Sequence, residues 1–312
     1  MVGRRGEAPL VPPYSFRRPN MAMALDRRRE WTHLATESSM ILELVEYLLT
    51  PCSFAMRRLG YLRGQLGIKV RHRQCRRAWT EHLQRTQTTI RAALLDCPQR
   101  RKAVVLGSGL LLDVPLADLA ATFREVILVD VVHPLRAYLA TLRYRNVRLV
   151  RADVSETATE LARIARDPQA PLPRAVPQLF CDDQEVDYVV SVNLLSQLPY
   201  IPAMYLSKSP PRPESEIDDY ARSLIESHLD YLQRLPGVVT LITDVEKIQI
   251  DSDGREVDRF DILYGVTLPW SGEEWTWEHV PLKHLSREFA YHRRVCAVRN
   301  VKGAEEGRRQ WS

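Results

Sequence analysis

The sequence predicts an α/β fold: a doubly wound, mostly parallel seven-stranded sheet with an antiparallel edge, preceded by a helical N-terminal extension. Three observations support this prediction. After Pro98, short apolar runs alternate with helical segments, which is typical of a parallel sheet covered by helices on both faces. The first apolar run ends in a glycine turn, and the second ends in Asp130. The C-terminal part instead shows alternating polarity, which indicates antiparallel strands.

The first hundred residues differ in charge from the remainder. They carry 18 Lys and Arg against 8 Asp and Glu, whereas residues 101–312 carry 26 against 31. Residues 1–28 are rich in arginine and proline, so we expect a disordered leader there. Residues 29–98 form the predicted helical extension, with helices at 37–49 and 71–95 where apolar residues recur every three or four positions.

The parallel part of the sheet is predicted from five apolar runs and the helical patterns between them. The strands are expected at 103–107, 125–130, 147–151, 186–192 and 237–243. The helices are expected at 115–123, 134–143, 155–166 and 217–234. Right-handed crossovers between parallel strands then require the doubly wound arrangement.

The antiparallel edge and two long loops complete the predicted fold. Residues 247–255 lead into an Asp-Gly turn and predict a β-hairpin. Further strands are expected at 262–268, 274–280 and 294–298. The proline-bearing segments 167–183 and 199–216 are expected to be loops, and the second is a candidate substrate-covering loop because it follows the C-terminal end of a strand.

Composition limits the classes of protein to consider. The chain has 312 residues, 45% of them apolar, and a net charge of +5, which suits a folded protein with a sizeable core. Its five cysteines are scattered without a Cys-x-x-Cys pair, so we expect a reducing cytoplasm. No apolar run approaches the ~20 residues of a transmembrane helix, and no secretory signal is recognisable. No metal site is expected, and the oligomeric state is not predicted.

The glycine turn predicts a nucleotide-cofactor pocket. Gly107-Ser108-Gly109 follows a predicted buried strand, and glycines there allow a sharp turn and close approach of a ligand to the backbone. Asp130 closes the next strand 21 residues after Gly109. That is about the ~20-residue interval at which a carboxylate binds the hydroxyls of a ribose.

Two more polar residues follow in order, Asp153 after the third predicted strand and Asn193 after the fourth. This succession resembles the class I S-adenosylmethionine-dependent methyltransferases over about residues 100–300. The resemblance implies that residues 99–312 form a methyltransferase-like Rossmann domain. It also implies S-adenosylmethionine as the cofactor and methyl transfer to an unidentified acceptor, for which we expect a small molecule.

The resemblance assigns the glycine turn and the first acid to the ribose and methionine end of the cofactor. Gly107, Ser108 and Gly109 would lie against the methionine moiety and the ribose. Asp130 would accept hydrogen bonds from both ribose hydroxyls, and a charged acceptor in a partly dry cleft bonds strongly.

At the other end of the cofactor, the resemblance places Val131 against the adenine face and Asp153 at its exocyclic amine. The backbone N–H of Val154 would meet the adenine ring. Asn193 would face the transferring methyl group or the acceptor.

Two positions depart from the pattern of the family. Val105 stands where an acid is usual, and Leu111 stands where a third glycine is usual. Asp113 could supply the missing negative charge to the methionine amino group, or it could cap the helix that begins near Pro115. Asp153 could likewise cap the helix that begins near Ser155.

Two other functions remain open. A NAD(P)-dependent oxidoreductase fits a strand, a glycine turn and a distant acid, but Leu111 and the lack of a Tyr-x-x-x-Lys pair disfavour it. A non-catalytic S-adenosylmethionine-binding protein is the second alternative. The catalytic residues are not assigned; the candidate bases are Tyr200, Tyr205, Asp244, His133 and His279.

A basic segment and a pair of tryptophans have more than one interpretation. Residues 57–77 carry eight Lys and Arg and no acid, so they could hold the phosphates of a nucleic acid, an anionic substrate or a membrane surface. A solvated helix face is the favoured interpretation, and nucleic acid is not favoured as a partner. Trp275 and Trp277 share one face of a strand, where they either pack the sheet edge or form an aromatic wall for a substrate.

Overall fold

The computed structural model describes residues 45–164, 167–208, 212–282, 284 and 288–303. Its helices are α1 (Phe54–Leu59), α2 (Tyr61–Gln74), α3 (Arg76–Leu94), α4 (Leu116–Thr122), α5 (Leu135–Thr141), α6 (Ala158–Ile164), α7 (Tyr200–Leu206) and α8 (Glu214–Arg234). Its strands are β1 (Lys102–Leu106), β2 (Glu125–Asp130), β3 (Val147–Arg151), β4 (Val186–Val192), β5 (Val238–Asp251), β6 (Glu256–Asp261), β7 (Glu273–Val280) and β8 (Phe289–Val298).

The strands form one mixed sheet in the order β3-β2-β1-β4-β5-β8-β7, with β6 paired to β5 off this path. Strands β1 to β5 are parallel, whereas β6, β7 and β8 pair antiparallel. The predicted fold class is therefore confirmed. The described sheet has eight strands rather than the predicted seven, because the chain after β5 turns back and adds β6.

Continuous burial explains why the central strands were recognisable as apolar runs. All seven residues of β4 are buried, and so are the inner residues of β1 and β2. Helices cover both faces of these strands, so their sequences lack the alternation of apolar and polar residues that is typical of a strand with one exposed face. The β1–β4 strand predictions agree with the structure to within one residue at each end.

The N-terminal helices end on recognisable signals. Ser53 caps α1 by accepting from Met56 N–H, and Gly60 ends it with a φ of 106°. The helix predicted at 71–95 is wrong at its start, because helix begins at Tyr61 and is interrupted at Cys75, where ψ is 21°. The predicted leader at 1–28 lies outside the described residues, as does most of the predicted helix at 37–49, of which residues 45–49 are helical.

The C-terminal strands confirm the hairpin and correct one strand. The 247–255 hairpin is the turn between β5 and β6. The strand predicted at 262–268 is wrong: the Asp261 carboxylate accepts from the backbone N–H groups of Leu263 and Gly265, and Tyr264 and Gly265 have positive φ. These contacts form a turn where the apolar composition alone predicted a strand.

The segment 199–216 is not one long loop, because α7 occupies its first part and α8 begins at Glu214. Buried Arg212 joins this segment to the preceding one by donating to the carbonyls of Asp167 and Ala170. Among the described helices, none combines the length and the apolar composition required to cross a bilayer.

Candidate functional site

The C-terminal ends of β1, β2 and β4 meet at the point where the strand order reverses. Open α/β sheets bind ligands at such a switch point. Gly107, directly after β1, has a φ of 79°, and its N–H donates to Val129 O at 3.0 Å. A Cβ at this position would lie 3.0 Å from Val192 O, so only glycine fits without a shift in the neighbouring strand end.

Asp130 lies at the centre of this edge. Its Oδ2 accepts from Gly109 N–H at 2.8 Å, and its Oδ1 accepts from Val132 N–H at 3.3 Å. Burial raises the pKa of this carboxyl, while the nearby His133 and the hydrogen bonds from Gly109, Val132 and Gln65 oppose that rise. The glycine turn and Asp130 are thus brought into direct contact, as their spacing suggested.

Helix α2 contributes two residues that the sequence did not single out. Gln65 Nε2 donates to Asp130 Oδ1 at 3.2 Å. Tyr61 lies one helical turn earlier and is half-buried. The pKa of its hydroxyl is raised, mainly by burial and to a smaller extent by the negative charge of Asp153. The four-residue spacing of Tyr61 and Gln65 was the available signal, since it places both on one helix face. The N-terminal extension therefore lies over the predicted cofactor site.

Two buried polar atoms in this part of the chain have no protein partner among the described residues: Gln65 Oε1, on the amide that bonds Asp130, and Ser108 Oγ in the glycine turn. Ser108 is only 1% exposed. Buried polar groups are nearly always hydrogen-bonded, so these two oxygens have hydrogen-bonding capacity that the described residues leave unused.

Asn193 and Asp113 form the next part of the site. Asn193 follows β4 with a φ of 50°, and its Nδ2 donates to Asp113 Oδ2 at 2.7 Å. The Asn193 Oδ1 is buried and without a protein partner in the part of the chain described. Asp113 does not cap α4, whose first turn follows Pro115 without a side-chain cap. Burial raises the pKa of Asp113 to about 6.

His82 of α3 joins this group from the N-terminal extension and was also missed. Its Nε2 lies 3.3 Å from Asn193 Nδ2, and its Nδ1 lies 3.2 Å from the indole nitrogen of Trp275. Burial lowers the pKa of His82 to about 3. The ring also stacks on Trp277, with centroids 4.0 Å apart. Both tryptophans thus pack the sheet edge against α3.

At the expected adenine end, Asp153 acts as a helix cap. Its carboxylate accepts from the backbone N–H groups of Ser155, Thr157 and Ala158 at 2.8 to 3.0 Å. Val154 is buried, and half-buried Val131 packs against Leu62 and Leu66 of α2. The capping interpretation of Asp153 is therefore observed, while its contact with a base stays a prediction.

The candidate bases occupy different surroundings. His133 Nε2 lies 3.0 Å from Val150 O, and burial lowers the pKa of this ring. Asp244 pairs with Arg293 at 3.0 Å and accepts from Ser196 Oγ. The hydroxyl of Tyr205 accepts from Arg58 Nε at 2.9 Å, and the ring of His279 stacks on Trp79. None of these contacts selects a base.

No group of three or more metal-ligating side chains occurs in the described ranges. A surface cavity of about 410 Å³ lies between α3 and the ends of β7 and β8. It is lined by Thr88, Thr89, Ala92, Ser271, Gly272, Glu273, Ala297, Val298, Arg299 and Asn300. None of the predicted site residues lines this cavity, which lies near the start of β5 rather than at the switch point.

Fold and site together define a doubly wound α/β protein with a carboxylate and a glycine turn at its switch point. The sequence matches no known protein family and none of the curated proteins. Among solved structures, it is similar to the N-methyltransferase NodS of Bradyrhizobium japonicum WM9 in complex with S-adenosylhomocysteine. The identity is 14%, the match covers 68% of this chain and 86% of that one, and the TM-score is 0.30.

Two further solved structures are similar over more of the chain. One is the 1,6-didemethyltoxoflavin-N1-methyltransferase of Burkholderia thailandensis, with 13% identity, coverage of 85% of this chain and 92% of that one, and a TM-score of 0.32. The other is a SAM-dependent methyltransferase of Leishmania major, with 14% identity, coverage of 93% and 99%, and a TM-score of 0.30. These TM-scores are too low to carry a function from those enzymes to this chain.

Proposed function

We propose that the protein binds S-adenosylmethionine at the switch point and transfers its methyl group to a small-molecule acceptor. The observation that carries the proposal is the half-buried Asp130 carboxylate, which accepts from Gly109 N–H at 2.8 Å and from Gln65, whose Oε1 has no partner among the described residues. A ribose diol supplies the hydrogen-bond donors that this group of acceptors requires.

We assign residues at the switch point to each part of the cofactor. Asp130 and Gln65 would hold the ribose, and Val131 with the Val154 backbone would border the adenine. Asp113 would take the ammonium of the methionine moiety, in place of the acid that is missing at Val105. Its carboxylate is not used for capping and bonds Asn193 at the strand edge, which supports this role.

The chemistry requires little from the protein beyond placement. The cofactor supplies a methyl group already activated on a sulfonium, so in-line displacement depends on holding the acceptor at that methyl. Asn193 would orient the acceptor through Oδ1, the buried oxygen that has no partner in the described structure. Helix α2, which lies over Asp130, would exclude water from the reacting groups.

The test is a calorimetric titration of the full chain with S-adenosylmethionine, S-adenosylhomocysteine and NAD⁺. We expect both adenosyl compounds to bind, and Asp130→Asn to weaken them by at least about tenfold, because charge-assisted bonds to the ribose are lost. Asp118→Asn, which alters an exposed acid paired with Arg91, is the matched control and should leave binding unchanged.

Three outcomes would contradict the proposal at different points. Binding of NAD⁺ without the adenosyl compounds would favour the oxidoreductase. Adenosyl binding that is indifferent to Asp130→Asn would place the pocket elsewhere. Tight binding with no transfer of a labelled methyl group across a broad screen of acceptors would favour the non-catalytic binding protein.

A further inference from the structure

Helix α5 and the residues after it present a surface that is both basic and apolar. Residues 131–152 contain five arginines and no acidic residue. Arg136, Arg143 and Arg145 are exposed, and the ion pairs of the described residues include none of the three. Their charges therefore face solvent without neutralisation.

Two large apolar side chains lie among these arginines. Leu139 is 65% exposed and Leu142 is 81% exposed. The three-residue spacing places Arg136 and Leu139 on one face of α5, and Leu142 and Arg143 follow directly after the helix ends at Thr141. Ala137, on the opposite face, is buried. The exposed surface of α5 and of the residues directly after it thus combines leucines with cations.

The basic character continues onto the start of α3. The pKa of His72 in α2 is lowered by burial and then by the positive charges of Arg136 and Arg76, which places both arginines near this histidine. Arg76 and Arg77 are exposed. We call this surface the basic face and define it by Arg76, Arg77, Arg136, Leu139, Leu142, Arg143 and Arg145.

The combination of side chains distinguishes between partners. Phosphates of a nucleic acid would satisfy the arginines but would leave the leucines exposed. A second copy of the chain docked through the same face would bring like charges together. Residues 1–44 carry seven arginines and five acids, so they bring no excess negative charge to this face. An anionic lipid surface satisfies both parts, since head groups attract arginine and leucine enters the interface.

We propose that the basic face docks the protein reversibly onto an anionic membrane surface, with Leu139 and Leu142 entering the boundary between head groups and acyl chains. Docking there does not depend on the proposed cofactor site. It would present the switch-point edge close to the lipid, because α5 begins five residues after β2 ends in Asp130.

Cosedimentation of the full chain with vesicles tests the proposal. Vesicles of phosphatidylcholine with 30% phosphatidylserine should bind the protein, and pure phosphatidylcholine should bind it weakly. Arg136→Glu with Arg143→Glu should lower the partition coefficient by about tenfold or more. Leu139→Gln with Leu142→Gln should lower it by about tenfold while leaving the net charge unchanged. Binding should also weaken as salt is raised from 50 to 300 mM.

Matched controls distinguish the effect of the basic face on vesicle binding from the effects of overall charge and hydrophobicity. Arg255→Glu with Arg299→Glu makes the same charge change on other surfaces, and Leu95→Gln alters another exposed leucine. These variants should bind vesicles almost as well as the parent chain. Equal loss in the control and test variants would overturn the proposal, and so would unchanged binding in the leucine variant. Failure to bind the anionic vesicles, with tight and arginine-dependent binding of a 20-nucleotide single-stranded RNA, would overturn it in favour of nucleic acid.

Discussion

Asp113 is important because of its contact with Asn193: a half-buried carboxylate at the strand edge can either hold a proton or bind a cation. Burial raises its pKa to about 6, so it is ionised at pH 7.5 and becomes protonated as the pH falls below 6. If it binds the ammonium of the cofactor, affinity for S-adenosylhomocysteine should fall between pH 7.5 and 5. Affinity for 5′-methylthioadenosine, which has no amino group, should not share this loss. Asp113→Asn should weaken S-adenosylhomocysteine by about tenfold at pH 7.5 and leave methylthioadenosine unchanged.

The same carboxyl makes a prediction for stability without ligand. A raised folded-state pKa means that the folded chain retains a proton which the unfolded chain releases near its ordinary pKa. The stabilising contribution of Asp113 to the free energy of unfolding is therefore fully present below pH 3.8, and it is lost as the pH rises to about 6. Asp113→Asn should become more stable relative to the parent chain across that interval, by up to about 3 kcal/mol. Urea unfolding at several pH values measures this. A constant difference would show that Asp113 is not buried as described.

His82 provides a second prediction, about a proton position. An indole N–H can only donate, so Trp275 requires the Nδ1 of His82 to accept, and the proton of the neutral ring lies on Nε2. The Asn193 Nδ2 at 3.3 Å from this nitrogen then donates to Asp113 and not to the ring. Since burial lowers its pKa to about 3, this ring should not titrate between pH 8 and 5. Nitrogen-15 spectra of histidine-labelled protein should show the Nε2–H form throughout this range. An Nδ1–H form, or titration near pH 6.5, would contradict the contact with Trp275.

At the scale of the elements, the predictable and unpredictable features have different physical origins. Strands β1 to β4 were predicted because their sequences are continuous apolar runs. Asp130 was predicted as a site residue because it ends such a run. Gln65 and His82 were not predicted as site residues, because they reach the site from helices that lie far from Asp130 and Asn193 in sequence, and the spacing of Gln65 from Tyr61 does not reveal which surface their helix covers. The strand predicted at 262–268 does not form, because the Asp261 carboxylate accepts from the backbone N–H groups that follow it and holds them in a turn. Strand propensity alone does not reveal these hydrogen bonds.

The turn between α8 and β5 gives a prediction at this scale. Gly237 has a φ of 70°, and an added Cβ would lie 2.4 Å from the backbone oxygen of Asp187. Gly237→Ala should therefore lower the free energy of unfolding by about 3 kcal/mol or more, through backbone strain and a contact that cannot relax cheaply. Gly254→Ala is the matched control, since φ is 80° there but nothing lies within 4 Å. It should cost only about 1 kcal/mol. Equal losses in urea titrations would mean that the approach to Asp187 is not as close as described.

At the scale of the whole molecule, the N-terminal helices and the parallel sheet both contribute residues to the proposed site. Gln65 of α2 bonds Asp130 after β2, and His82 of α3 contacts Asn193 after β4. A ligand at the switch point would therefore be enclosed by two parts of the chain that differ in charge. Neither part alone contains the complete site.

This coupling predicts the pattern of backbone protection when ligand binds. Saturating S-adenosylhomocysteine should slow hydrogen exchange in α2 and at residues 107–111 and 130–133, because opening α2 would then require the ligand to lose its contacts. The β5–β6 turn at 251–255, which touches none of these residues, should exchange at the same rate with and without ligand. Gln65→Ala should reduce the added protection of α2 more than that of 107–111, since it removes the bond between the helix and Asp130. Protection confined to the sheet would show that α2 rests beside the pocket without closing it, and the N-terminal extension would then have to be explained by the basic face alone.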